Sequence, residues 1–198
     1  GYYNTFRNIG KMQNNGLELS VSGDIFSTED FRWTASGNIS FNKNKVVKLY
    51  EGQSIYTGDV GGTAYLNGNT CIITEGKPLG TFYTLKEDGY DEKGRIKYVD
   101  KTKDGIINDD DKFFTGDANP DFTYGLTTDI YYKGFELSMM LQGSQGNDIF
   151  NVGATADLDL GYGLNVRRDV LYNHWDASMT DEQKAHAKYP IISRSVNN

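Results

Sequence analysis

The chain has 198 residues, of which only 37% are hydrophobic, and it is rich in Tyr (14), Phe (10) and Gly (23). A net charge of −7 with no basic run excludes nucleic acid, because nothing could neutralise a phosphate backbone. One cysteine, Cys71, excludes an internal disulfide framework, and no apolar run reaches the ~20 residues of a membrane helix. Gly1 in place of an initiator Met, and a polar end at Ser195–Asn198, predict a segment of a longer chain.

In chain order, residues 1–16 read as a loop ending in the turn signal Asn14-Asn15-Gly16. A strand follows over 17–26, with Leu17, Leu19, Val21 and Ile25 on one parity and Glu18, Ser20, Ser22 and Asp24 on the other. After the polar turn Ser27–Asp30, a second strand covers 31–49. In it Phe31, Trp33, Ala35, Gly37, Ile39 and Phe41 alternate with Arg32, Thr34, Ser36, Asn38 and Ser40. Matching the two apolar faces predicts Ile25 opposite Phe31, Gly23 opposite Trp33 and Leu19 opposite Gly37, with large residues across from small ones.

A long connection, 50–120, separates this hairpin from the next, with short strand-like pieces at Thr70–Thr74 and Thr81–Leu85. Connections of that length are commonly functional. Within it, Asp100–Asp111 has the spacing of a calcium loop. Asp100, Thr102, Asp104, Asn108 and Asp111 stand at positions 1, 3, 5, 9 and 12, Gly105 at the sharp turn, and Ile106 at the carbonyl position 7. Calcium takes six to eight hard oxygens, so Asp100, Thr102, Asp104, Ile106, Asn108 and Asp111 form a candidate structural Ca²⁺ site. Thr102 is a neutral ligand, and Asp111 is shorter than a bidentate Glu. The competing reading is an acidic turn whose side chains cap its own backbone.

The second hairpin spans 121–132 and 135–150. Phe122, Tyr124, Leu126, Ile130 and Tyr132 share one parity, interrupted by Thr128, and Phe135, Leu137, Met139 and Leu141 share the matching one, with Met140 as the exception. The Lys133-Gly134 pair predicts a tight turn that sets Tyr132 against Phe135. Each arm holds the roughly 10 residues that a tilted strand needs to cross a bilayer. In the remaining stretch, 151–198, Val166–Trp175 reads as a short helix. Thr180-Asp181-Glu182-Gln183 is a capping box for another, Asp181–Lys188, stopped by Pro190.

Long strands joined by short turns at one end and long loops at the other predict an all-β fold, the antiparallel strands of a transmembrane β-barrel. Aromatics beside both short turns (Phe26, Phe31 and Trp33; Tyr131, Tyr132 and Phe135) suit an interfacial girdle. The alternative is a soluble secreted β-sandwich that binds carbohydrate and holds a structural calcium. No nucleophile elbow, P-loop or dinucleotide fingerprint is present, and His174 and His186 fall on different predicted helices, so no enzyme is expected. Tyr-rich loops (Tyr50, Tyr56, Tyr65, Tyr83 and Tyr90) read as girdle or packing residues that could also stack on sugars or peptides.

Several stretches in order resemble the C-terminal third of SusC/RagA-type TonB-linked outer-membrane proteins of Bacteroidetes. They are Asn8–Leu19, Phe31–Val46, Glu75–Tyr83, the Asp100–Asp111 loop, Gly116–Gly125 and Leu141–Asn151. The resemblance implies that residues 1–198 are part of one receptor barrel domain, with strands at about 17–26, 31–49, 121–132 and 135–150 and outer loops at about 50–120 and 151–198. It further implies a cell outer membrane location and import of glycans or peptides with a SusD-like lipoprotein. Coupling to TonB would run through an N-terminal part that this sequence does not contain. The family's acidic loop usually has Asn where this chain has Thr102.

Overall fold

The computed structural model describes Asn8 and residues 10–59, 68–153 and 165–192. Tyr65 and the Gly-rich stretch 154–164 lie outside the described residues. The strands are β1 (Gly10–Ser27), β2 (Phe31–Leu49), β3 (Ile55–Asp59), β4 (Asn69–Ile73), β5 (Thr81–Thr84), β6 (Glu87–Tyr90), β7 (Ile96–Tyr98), β8 (Phe113–Asp117), β9 (Phe122–Tyr132) and β10 (Phe135–Gln145). The long strands form one sheet in the order β1-β2-β9-β10, and the short ones form β3-β4-β5-β8 and β6-β7. Short helices occupy Arg168–Asn173 and Asp181–Ala185, the second opened by the expected Thr180 capping box. No helix among the described residues is long and apolar enough to cross a membrane.

The chain divides into two compact units. The first comprises Gly1–Ile55, Ile73–Thr81 and Gly116–Asp148, and the second Tyr56–Ile72, Phe82–Thr115 and Ile149–Asn198. In the first, the loop 73–81 covers the end of β2: Val46 N–H donates to Lys77 O and Gly76 N–H to Val46 O, and Leu49 N–H donates to the Glu75 carboxylate at 2.8 Å. Val46 and Leu49 are buried there. In the second, Ile72, Val170 and Trp175 are buried, and Gly94 (φ 75°) lies so close under the Trp175 indole that a side chain would overlap it.

The β9–β10 hairpin has the expected register, with Tyr132 opposite Phe135, Ile130 opposite Leu137, Thr128 opposite Met139 and Leu126 opposite Leu141. Both turn residues have positive φ, 46° at Lys133 and 86° at Gly134, the pair required by a two-residue turn that follows the strand twist. Strand β10 ends at Gln145, not at 150. Gly146 turns out at φ 92°, packed so closely on the Asp121 carboxylate that only glycine fits.

The β1–β2 hairpin corrects two expectations. Leu19 faces Ile39 and Val21 faces Gly37, whereas Trp33 faces Phe26 and Gly23 faces Ala35. Thr28–Phe31 closes as a four-residue turn, with Thr28 N–H donating to Phe31 O at 2.7 Å and Phe31 N–H to Thr28 Oγ1. An even turn would put the two apolar faces out of phase, and a bulge at Ile25 restores the phase. Residues 10–16, read as loop, are strand: Asn14 pairs with Asn44, their side chains bonded at 2.6 Å. Gly16 is needed there because a Cβ would sit 2.8 Å from Phe41 O, so the glycine permits close approach instead of marking a turn.

Candidate membrane-spanning surface and the acidic turn

Residues alternate along each long strand, so one sheet face collects the apolar parity of all four. In a sandwich that face would be buried against a second sheet. Here it is open: Leu17 is 67% exposed, Leu19 60%, Val21 66%, Leu137 51% and Leu141 59%. The sandwich alternative fails on this observation.

Aromatic rings bound the face at both ends. Near the short turns Phe26 lies 5.9 Å from Phe31, and Phe31 lies 6.3 Å from Tyr132. At the far end Phe41 lies 5.8 Å from Phe122, which lies 6.2 Å from Tyr124. At ~3.4 Å per residue and a tilt of ~40°, Phe31 and Phe41 are about 26 Å apart along the barrel axis, close to the ~25 Å apolar band of an outer-membrane barrel. The second ring cluster was not anticipated, because Phe41 and Phe122 are distant in sequence and meet only through β2–β9 pairing.

Polar interruptions on this face are satisfied locally. Thr128 Oγ1 accepts the Trp33 indole N–H at 2.8 Å and donates to Thr34 O at 3.3 Å, so neither the indole nor this hydroxyl faces hydrocarbon unpaired. Gly143, opposite Tyr124, is covered by the tyrosine ring. The opposite face is polar: Ser138 Oγ donates to Asp129 at 2.6 Å and Ser40 Oγ to Glu18 at 3.4 Å.

The acidic turn belongs to the second unit. Asp111, in the 3₁₀ turn Asp109–Asp111, is 0% exposed. Its Oδ1 accepts Lys101 N–H, Thr102 N–H and the Thr102 hydroxyl, and its Oδ2 accepts Asn108 N–H. These donors, the Thr102 N–H foremost, hold its carboxyl below the usual carboxylate range. Asp100 accepts Lys103 N–H at 2.6 Å and Gly105 N–H at 2.8 Å, Asp104 accepts Ile106 N–H, and Asn108 Oδ1 accepts Asp110 N–H. The structure thus brings all the calcium-spaced side chains onto one turn, with Gly105 at φ 79°; the Asp and Asn side chains accept backbone N–H groups, and the Thr102 hydroxyl donates to Asp100 and Asp111. Among the described residues no group of three or more His, Cys, Asp and Glu side chains is placed to hold a metal ion.

The second unit also contains a cavity of about 640 Å³ lined by Glu87, Tyr90, Glu92, Trp175, Asp181 and Lys184 among others, within the usual range for ligand pockets. Burial, with Glu87 alongside, pushes the Tyr90 hydroxyl up to about 12. Lys184 lies over the Trp175 ring at 5.3 Å. The sequence signal for this cavity was slight: a turn-forming Asp91-Glu92-Lys93-Gly94 and one Trp far along the chain.

No family model matches the chain. Among curated proteins it is 30% identical to TonB-dependent receptor P3 of Formosa agariphila over 197 residues, covering 91% of this chain and 19% of that protein. It is also 32% identical to TonB-dependent receptor SusC of Bacteroides thetaiotaomicron over 150 residues, covering 73% of this chain and 15% of SusC. The chain belongs to the SusC/RagA-type TonB-dependent receptors. It spans about a fifth of the length of such relatives. A solved structure described as the RagAB peptide transporter superposes with a TM-score of 0.73 at 22% identity, covering 96% of this chain and 21% of that one, which shows the shared fold. The four long strands of this receptor segment are therefore outer-membrane barrel strands, and the location is the outer membrane. The relatives are TonB-dependent receptors, which are not enzymes, as the sequence led one to expect of this chain.

Proposed function

We propose that this chain forms part of a TonB-dependent importer for large nutrients, supplying four wall strands and the outer loops at about 50–120 and 151–198. The observation that carries the reading is the open apolar face bounded by two aromatic clusters, on a chain whose relatives are TonB-dependent receptors. The work is binding and gating, without bond chemistry. A SusD-like lipoprotein closes over the loops, and TonB acts through a part of the receptor outside this sequence. The family resemblance implies oligosaccharides or peptides as ligand classes, and the solved neighbour described as a peptide transporter favours peptides among them. The 640 Å³ cavity with Tyr90 and Trp175 offers one loop surface for either. Uptake of fluorescent oligosaccharide and oligopeptide pools by cells with and without the full-length receptor tests this. Uptake should require the receptor and stop when an uncoupler removes the proton-motive force. Uncoupler-resistant uptake would refute energised import.

For the acidic turn we propose a self-capped structural element in place of the calcium site that its spacing suggests. Amide donors on both oxygens of Asp100 and of Asp111 support this reading. A calcium titration of the receptor and its Asp104→Ala variant separates the two readings.

A further inference from the structure

Beyond the second aromatic cluster, the membrane-facing parity of the β1–β2 hairpin changes character. Asn15 pairs with Lys43, Gln13 with Lys45 and Lys11 with Lys48, and a bulge at Val47 keeps the last pair on the same face as Phe41. All four lysines are exposed, and none forms an ion pair among the described residues. No carboxylate shares these rungs, although the chain as a whole is acidic. Lys11 directly opposite Lys48 is a like-charge pair that destabilises a sheet unless an anion sits between. A hollow of about 290 Å³, lined by both lysines with Asn8, Gly10 and Tyr50, lies at that pair. Lys43 stands about 5 Å above Phe41 along the barrel axis, and the other lysines stand higher, at headgroup level.

We propose that this lysine patch binds the phosphate groups of outer-leaflet lipid headgroups, seating the barrel wall against phosphorylated glycolipid. The inference rests on the barrel reading above, with the short turns on the inner side of the membrane. A basic patch of unpaired lysines immediately above a lipid-facing apolar band meets lipid phosphate before any other anion, and each such lysine adds appreciably to attraction for an anionic headgroup. The polar Asn15 and Gln13 on the same rungs supply further donors without charge.

The test uses the full-length receptor in detergent, with the variant Lys11→Gln/Lys43→Gln/Lys45→Gln/Lys48→Gln and the matching four-fold Arg variant. Native mass spectrometry with bis-phosphorylated lipid A as probe should show retention by the wild type and the Arg variant, and about tenfold or weaker binding by the Gln variant. Lipid A stripped of phosphate should bind all three alike. Equal retention of bis-phosphorylated lipid A by the Gln variant would overturn the proposal. So would phosphate-independent binding, or a lysine-dependent preference for phosphatidylglycerol, which would place the patch at the inner leaflet. Heat-modifiable electrophoretic mobility confirms that the Gln variant is folded, and ligand uptake measured separately distinguishes failure of the lipid site from failure of the importer reading.

Discussion

Lysine substitution along β10 tests the lipid-facing assignment, because depth and parity make opposite demands on neighbouring residues. Leu141 lies about 16 Å along the axis from the girdle residue Phe135, near the middle of a ~25 Å band, while Leu137 lies only about 5 Å from it. Both point to the open face, at 59% and 51% exposure. Leu141→Lys should therefore cost ~2–4 kcal/mol and Leu137→Lys ~0–1 kcal/mol, since a charge near the interface reaches water. Gln142→Lys, one residue along on the polar parity, should cost less than about 0.5 kcal/mol, as for an ordinary surface change. Guanidinium unfolding of the full-length receptor in lipid vesicles, followed by tryptophan fluorescence, measures all three. A soluble core would give the reverse profile, with cost governed by burial and not by depth. Equal costs at Leu141 and Gln142, or a greater cost at Leu137 than at Leu141, would refute the reasoning.

The indole–hydroxyl pair on the lipid face makes a second prediction: Thr128→Val leaves the Trp33 N–H unpaired and should cost ~1–2 kcal/mol, while Trp33→Phe in the same background should recover most of the coupling in a double-mutant cycle. The acidic turn should be acid-sensitive. Folding favours the charged form of Asp111, so its stabilisation is full above the ordinary carboxylate range and is lost as pH falls through its lowered folded value. Hydrogen exchange at the Thr102 and Asn108 amides, compared at neutral and acid pH, reads this directly. Calcium titrations of wild type and Asp104→Ala should be indistinguishable; a calcium heat lost in the variant would restore the coordinating loop.

The four long strands were legible because their faces differ in polarity, so period-two alternation survives even where the inner side is merely hydrated. The β9–β10 register was legible too, since a Lys-Gly turn allows one pairing. The β1–β2 register was not. Side-chain matching favoured large against small, but backbone closure of Thr28–Phe31 decided the turn, and a bulge at Ile25 absorbed the mismatch. Asn14-Asn15-Gly16 misled for a related reason: turn-prone residues continue a strand when the partner strand supplies every backbone bond. At the acidic turn, spacing identified residues that share one turn, where Asp100 and Asp111 accept backbone N–H groups. Calcium coordination and amide capping demand the same acidic side chains, so spacing alone does not choose between them. The far aromatic cluster and the Trp175 cavity depend on contacts between remote segments, which no local pattern announces.

The bulge at Ile25 has a consequence for how such hairpins vary in length. Because the phase of β1 is held by the ladder above Asp24, a single residue lost from Thr28–Phe31 need not invert the strand; it can dissolve the bulge and leave Ser27 facing Phe31 across a two-residue bend of the same length. The inner rim of this wall thus has slack of one residue, and natural insertions and deletions should accumulate there without exchanging the oily and wet sides of the strand.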